Sequence, residues 1–178
     1  MTRRALLVSG SLRSGSTDTA LLRTAARASP TGTDPVPFEG LDRLPHFDPD
    51  RDREPLHPEV EAARAAIRSC VAVLFSTPEH VGPLPGAFEN VMEWAVGDDS
   101  AKAICEKPVG WINVSASPTG AAGTYRSLAI VLGYVHATVV EAACAKIPVS
   151  RQMVGSGGLI ADLEIRERVA AVLEALVS

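Results

Sequence analysis

The chain has 178 residues, of which 46% are apolar and 21% charged, and 17 Lys and Arg against 21 Asp and Glu leave a net charge of −4. This is the balance of an ordinary globular protein and excludes a disordered chain, which lacks the apolar residues to offset its chain entropy. The length predicts one domain over residues 1–178 with a sizeable core, and the mild acidity gives no electrostatic footprint for DNA or RNA.

Leu6-Leu7-Val8 is a short apolar run between Arg4 and Ser9 and reads as a buried strand. A Gly/Ser loop follows over Gly10–Thr17. From Asp18, the apolar positions Ala20, Leu21, Leu22, Ala25 and Ala26 predict a helix that ends before Pro30. The stretch Thr31–Asp52 is rich in Pro, Gly and Asp. It predicts a short second strand near Val36–Phe38 and an irregular loop through Leu44–Phe47. Pro58 suits the first residue of a helix. Val60, Ala63 and Ile67 line one face of that helix, with Glu59 and Glu61 early and Arg64 and Arg68 late, as the helix dipole favours.

Val71–Phe75 is an all-apolar strand, and Ser76–Pro83 a turn-rich loop. Pro85 starts another helix, with Phe88, Val91, Met92, Ala95 and Val96 spaced at three and four and Gly97 as a stop. Val109–Val114 is a third apolar strand, and Ser115–Gly123 is small and polar. Tyr125–Leu132 is helical by period, and Thr138–Val140 is β-branched. Asp162 caps a last helix with Ile165, Val169, Val172, Leu173 and Leu176 on one face. Strands alternate with helices, and the clear strands are apolar on both faces. That pattern means a parallel sheet covered on both sides. At this length it predicts a flavodoxin-like three-layer α/β sandwich: five parallel strands in the order 2-1-3-4-5, with ligands bound beyond their carboxyl ends.

The amino-terminal apolar run stops at Ser9-Gly10, too soon for a signal peptide. The longest apolar region, Leu128–Val140, is broken by Gly133, Tyr134 and His136, whereas a membrane span needs about 20 apolar residues. The expected location is the cytoplasm, away from membranes. Cys70, Cys105 and Cys144 are too sparse for a disulfide scaffold. The scattered His46, His57, His80 and His136 offer no metal-type spacing.

Three loops carry the chemistry. The first, Gly10–Thr17, places the hydroxyls of Ser11, Ser14, Ser16 and Thr17 and the charge of Arg13 between a strand and a helix. The helix start adds free N–H groups and a positive dipole end, which together make an anion site suited to phosphate. Gly10, Gly15 and Thr17 fit the triphosphate pattern GxxxxGK[ST], but Ser16 stands in place of its lysine. Leu12 breaks the dinucleotide pattern GxGxxG, and this loop holds no cysteine nucleophile for a tyrosine phosphatase. What remains is a cradle for one terminal monophosphate. The second loop, Ser76–Pro83, is restricted by its prolines and opened by Gly82, so its backbone can face a flat ring. The third, Ser115–Gly123, offers Ser115, Ser117 and Thr119 as hydrogen-bonding groups, with space at Gly120 and Gly123.

These segments resemble one family. Gly10-Ser-Leu-Arg-Ser-Gly-Ser16 is similar to the GSLRxxS loop of the NADPH-dependent FMN reductases. Thr77–Gly86 followed by Phe88–Trp94 is similar to their PEYNGSxPGxLKNAxDW segment, and Ser115-Ala-Ser-Pro-Thr-Gly120 lies where their third flavin-contacting loop lies. The order and spacing agree over nearly the whole chain. The resemblance implies non-covalent FMN. It implies ping-pong, two-electron reduction of flavins, quinones, azo compounds or metal oxyanions by NAD(P)H, with no protein nucleophile. Carried over, Ser11, Arg13 and Ser16 would hold the FMN phosphate beside Thr17. Pro78, Glu79 and Gly82, with the backbone of His80 and Val81, would pack against the isoalloxazine, and Ser115 and Ser117 would bound its far side near Gly120. The chain departs from the pattern at His80-Val81, where the family carries Tyr-Asn, and at Asp18, where asparagine is typical. The family also implies a homodimer or homotetramer. The other reading of the same sequence is a flavin-binding electron carrier or regulatory protein without nicotinamide turnover.

Overall fold

The computed structural model describes residues 2–97 and 104–178. Five strands, β1 (Arg3–Ser9), β2 (Thr33–Pro37), β3 (Ala72–Ser76), β4 (Pro108–Asn113) and β5 (Thr138–Lys146), form one parallel sheet in the order β2-β1-β3-β4-β5. Five α-helices cover it: α1 (Thr17–Arg27), α2 (Pro58–Arg68), α3 (Gly86–Val96), α4 (Ala122–Tyr134) and α5 (Leu163–Val177). This is the predicted flavodoxin-like sandwich. None of the described helices is long and apolar enough to cross a membrane.

Successive strand side chains point to opposite faces, and this period divides the core in two. Ala5, Leu7, Leu74 and Ile112 pack against α1 and α5 through Leu21, Leu22, Val169 and Leu173. Leu6, Val8, Val73, Phe75 and Val109 pack on the other face against α2, α3 and α4 through Ile67, Phe88, Val91, Leu128 and Leu132. Phe75 and Phe88 meet edge to face, 5.3 Å between centroids. Both faces of the central strands are therefore buried, which is why those strands read as unbroken apolar runs.

Two elements differ from expectation. The second strand lies at 33–37 rather than 36–38, and it carries Pro35 and Pro37. It is an edge strand paired only with β1, where a missing N–H leaves no ladder bond unmade. The last strand extends to Lys146, well past the β-branched run at Thr138–Val140. Its second half is Glu-Ala-Ala-Cys-Ala-Lys, weak in strand propensity. It is held by pairing with β4 after a register shift between Val109 and Trp111.

Candidate functional site

The three chemical loops leave the carboxyl ends of β1, β3 and β4, which are neighbours in the sheet. The sheet order reverses between β1 and β3, so these loops border the crevice where such sheets bind ligands. In the first loop, the backbone N–H of Arg13 reaches the Ser11 hydroxyl at 3.4 Å, and the N–H of Ser16 donates to the Arg13 carbonyl at 3.2 Å. Ser16 is the N-cap of α1, yet its side chain makes no capping bond. The first turn of α1 thus meets the cleft with backbone donors that its N-cap side chain does not take, the Asp18 N–H bonding its own carboxyl. Arg13 is exposed and has no carboxylate partner among the described residues.

Asp18 turns inward. It is 3% exposed and accepts hydrogen bonds from Ser76 Oγ at 2.9 Å and Ser16 Oγ at 3.4 Å. Burial holds its carboxyl above the usual carboxylate range, against the smaller opposing effect of those bonds. Behind it, the Tyr125 phenol is pushed up by burial and, in smaller part, by the charge of Asp18.

The second loop is bent at Val81 and Gly82, with φ of 55° and 99°. A β-branched residue in the left-handed region is a backbone outlier of the kind concentrated at functional sites. The bend is held by the His80 N–H donating to the Pro83 carbonyl at 3.2 Å, and it leaves the Val81 side chain 90% exposed. Thr77 Oγ1 is buried with no partner among the described residues. It is pressed so closely against Gly10 that a Cβ on that glycine would collide with it. The third loop is tied by Asn113, whose amide donates to the Gly120 carbonyl at 2.6 Å and accepts from the Ser115 N–H at 2.8 Å. The hydroxyls of Ser115, Ser117 and Thr119 then run in a chain, 2.8 Å and 3.1 Å apart.

These loops enclose a cleft in two adjoining parts, of about 560 Å³ and 510 Å³, that share Thr17, Asp18, Pro78, Glu79 and Arg151. Each part falls within the range of about 300–1,000 Å³ found for small-molecule sites. Ser11, Arg13, Ser16 and Thr17 line the first part, facing Pro78, Glu79 and His80. Val81, Gly82, Ser115 and Ser117 line the second. Gly120 lines neither. It stands behind the third loop, accepting from Asn113 and donating to Ser117, so its place is in the shape of that loop.

Two groups escape a reading of the sequence. Arg151 lies on a 3₁₀ turn (Arg151–Met153) beyond β5 and lines both parts of the cleft. Only the true end of β5 would have located it, and the weak second half of that strand conceals that end. Asn113 shapes the third loop, and its signal was an Asx residue at a strand end just before a serine.

The model of the NADPH-dependent FMN reductase family matches residues 3–151. The chain is 28% identical over 173 residues to an NAD(P)H-dependent FMN reductase of Pseudomonas aeruginosa, covering 97% of this chain and 92% of that protein. It is 26% identical over 178 residues to a protein of Oryza sativa subsp. japonica named "Probable NADPH:quinone oxidoreductase 2", covering 97% and 86%. Among solved structures, the flavoenzyme FerB of Paracoccus denitrificans, an NAD(P)H:(acceptor) oxidoreductase, superposes with a TM-score of 0.83 at 22% identity, covering 98% of this chain and 97% of that one.

Proposed function

This chain belongs to the NADPH-dependent FMN reductase family, and from that premise we propose that it holds FMN in the cleft and passes electrons from NAD(P)H to small acceptors in a ping-pong cycle. The family uses FMN with NAD(P)H as the electron donor, and the protein is an oxidoreductase. Flavins, quinones and azo compounds are the acceptor classes we assign, in a cytoplasmic setting, with residues 1–178 acting as one FMN-binding domain.

The residues present fit the cofactor. An uncapped helix start, the hydroxyls of Ser16 and Thr17 and an unpaired Arg13 line one part of the cleft, which is the donor set a single phosphate dianion requires. At Gly15 and Gly86, which line the same part, the space a Cβ would fill is open. Beside it, the bent backbone of Pro78–Gly82 and the hydroxyl chain of the third loop face each other across the second part. A donor-rich recess adjoining a second recess is the arrangement that a phosphate joined to a ring requires.

Bound FMN would supply the two-electron step between donor and acceptor. The protein's share is position and field. Ser11, Arg13, Ser16 and Thr17 hold the phosphate. The loop from Pro78 to Gly82, including Glu79 and the backbone of His80 and Val81, packs on the ring. Ser115 and Ser117 would offer hydroxyls to the far side of a bound ring and favour negative charge there. Arg151 adds a cation between the two parts. The observation that carries this reading is the uncapped start of α1 and an Arg13 with no carboxylate partner among the described residues, lining one cleft with the strained second loop.

The test is direct. The purified protein quenches FMN fluorescence on titration and, with FMN bound, oxidises NADPH or NADH in the presence of a quinone. Tight FMN binding with no nicotinamide oxidation under air or with quinone would establish the carrier reading instead. We also assign a homodimer or homotetramer, on the apolar face between α3 and α4.

A further inference from the structure

Asp18 sits on the wall common to both parts of the cleft. Its Oδ1 lies 2.9 Å from the Ser76 hydroxyl at the end of β3, and that same hydroxyl lies 3.0 Å from the carbonyl of Ile112 on β4. A serine hydroxyl has one proton to give, and here two acceptors compete for it. Ser76 has no exposed surface, so water does not make up the difference, and an unmet buried acceptor is costly. With a proton on Asp18 the conflict disappears. The acid donates to Ser76 Oγ, and Ser76 donates to the Ile112 carbonyl. Oδ2 still accepts from Ser16 Oγ, 3.4 Å away.

We infer that Asp18 is a proton-carrying positioning residue, and that binding of the FMN phosphate is coupled to protonation of its side chain. The inference rests on the flavin reading above. A carboxylate and a phosphate dianion at one helix start repel each other, and a neutral acid removes that repulsion while keeping the hydrogen-bond chain that joins α1 to β3 and β4. Burial favours the same state, since it raises the Asp18 pKa.

Other charged or titratable groups surround the cleft. They are Arg13 on the first loop, Glu79 and His80 on the second, Arg151 beyond β5 and, behind Asp18 on α4, Tyr125. Arg13 and Arg151 favour the carboxylate and Glu79 opposes it; all three are exposed, so solvent screens them. The Tyr125 hydroxyl has no hydrogen-bond partner among the described residues, so it gives no proton to Asp18.

The coupling has a sign. An anion bound beside Asp18 stabilises the protonated acid. FMN binding therefore takes up a proton at pH values between the Asp18 pKa of the free protein and its higher pKa in the complex, and affinity falls as pH rises through that window.

The experiment titrates FMN by fluorescence quenching from pH 5.5 to 9 with the unmodified protein and with Asp18→Asn. The amide keeps a donor for Ser76 and carries no charge. The unmodified protein is expected to lose affinity by up to about tenfold per pH unit within that window, the limit for one coupled proton. Asp18→Asn is expected to lack this loss and to bind more tightly at pH 9. Ionisation of the FMN phosphate itself, near pH 6, affects both proteins alike. As a second measurement, an indicator dye read across the same pH range should show proton uptake on FMN binding by the unmodified protein within the window where its affinity falls, and none there by Asp18→Asn. Parallel pH profiles overturn the inference while leaving the flavin reading intact. So does weaker binding by Asp18→Asn at every pH, which would make the carboxylate an acceptor for the ligand. If neither protein quenches FMN at any pH, the flavin reading falls and the inference falls with it.

Discussion

Arg13 offers a fork of donors with no carboxylate partner among the described residues, beside an uncapped helix start. Neutral N–H groups alone make a weaker phosphate site than N–H groups with a guanidinium. Arg13→Ala is therefore expected to weaken FMN by about 1.5–3 kcal/mol, the scale of a hydrogen bond to a charged group, as read by fluorescence titration. Unchanged affinity would remove the first loop from the site. Cys144 illustrates the opposite kind of residue, a group shielded from chemistry. Burial pushes its thiol up to about 11, and the charge of Glu141 adds to that shift. The thiolate is the reactive form, so a raised pKa leaves the thiol protonated at neutral pH. Alkylation of Cys144 by iodoacetamide, followed by peptide mass spectrometry, should be slow at pH 7 and still accelerating between pH 9 and 11. A rate that levels off below pH 9 would contradict this.

Between α2 and α3, a buried charge orders a segment with no regular structure of its own. Arg64 on α2 donates to the Trp94 carbonyl at 2.9 Å and pairs with Asp52 at 2.8 Å, with side-chain exposures of only 5% and 13%. From α3, Asn90 takes the Phe47 N–H at 2.7 Å, and both Asn90 and the Trp94 indole donate to the Pro45 carbonyl at 2.9 Å. Phe47 packs edge-on against Trp94. Removing one partner of a buried pair strands the other charge. Arg64→Ala should cost roughly 3–5 kcal/mol in urea unfolding, whereas an exposed control such as Arg4→Ala, with its half-exposed Asp34 pair, should cost under about 1 kcal/mol. The Leu44–Phe47 loop is irregular, as the sequence predicts, and its order comes from α3 rather than from its own residues. β1 and β3 were legible because both their faces are buried and periodicity has nothing to interrupt. The second half of β5 was not, since pairing with β4 outweighs its poor propensity. The first two cleft-lining loops were legible because hydroxyls, an arginine, prolines and glycines cluster there at the ends of apolar strands. Arg151 was not, because an isolated arginine beyond a misjudged strand end carries no pattern.

At the scale of the whole molecule, several of the exposed large apolar side chains among the described residues gather on one face. Val96 at the end of α3, and Ile130 and Tyr134 on α4, are 48%, 73% and 78% exposed. They rim a groove floored by Phe47, Met92, Val131 and Val135. Exposed apolar residues scattered singly are normal, but a contiguous patch of them marks a contact surface. An apolar face of this kind suits a twofold interface, in which each α4 would pack on its counterpart. The unmodified protein should therefore show a dimeric or tetrameric mass by light scattering at micromolar concentration. Ile130→Lys should lower that mass to the monomer's while preserving the far-ultraviolet circular dichroism, since Ile130 belongs to neither core cluster. A control at Leu12, 56% exposed on the first loop, should leave the mass unchanged when substituted by lysine. If the unmodified protein is monomeric, or if Ile130→Lys keeps the oligomeric mass, assembly does not use this face. The groove between α3 and α4 would then be open to a partner other than a second copy of the chain.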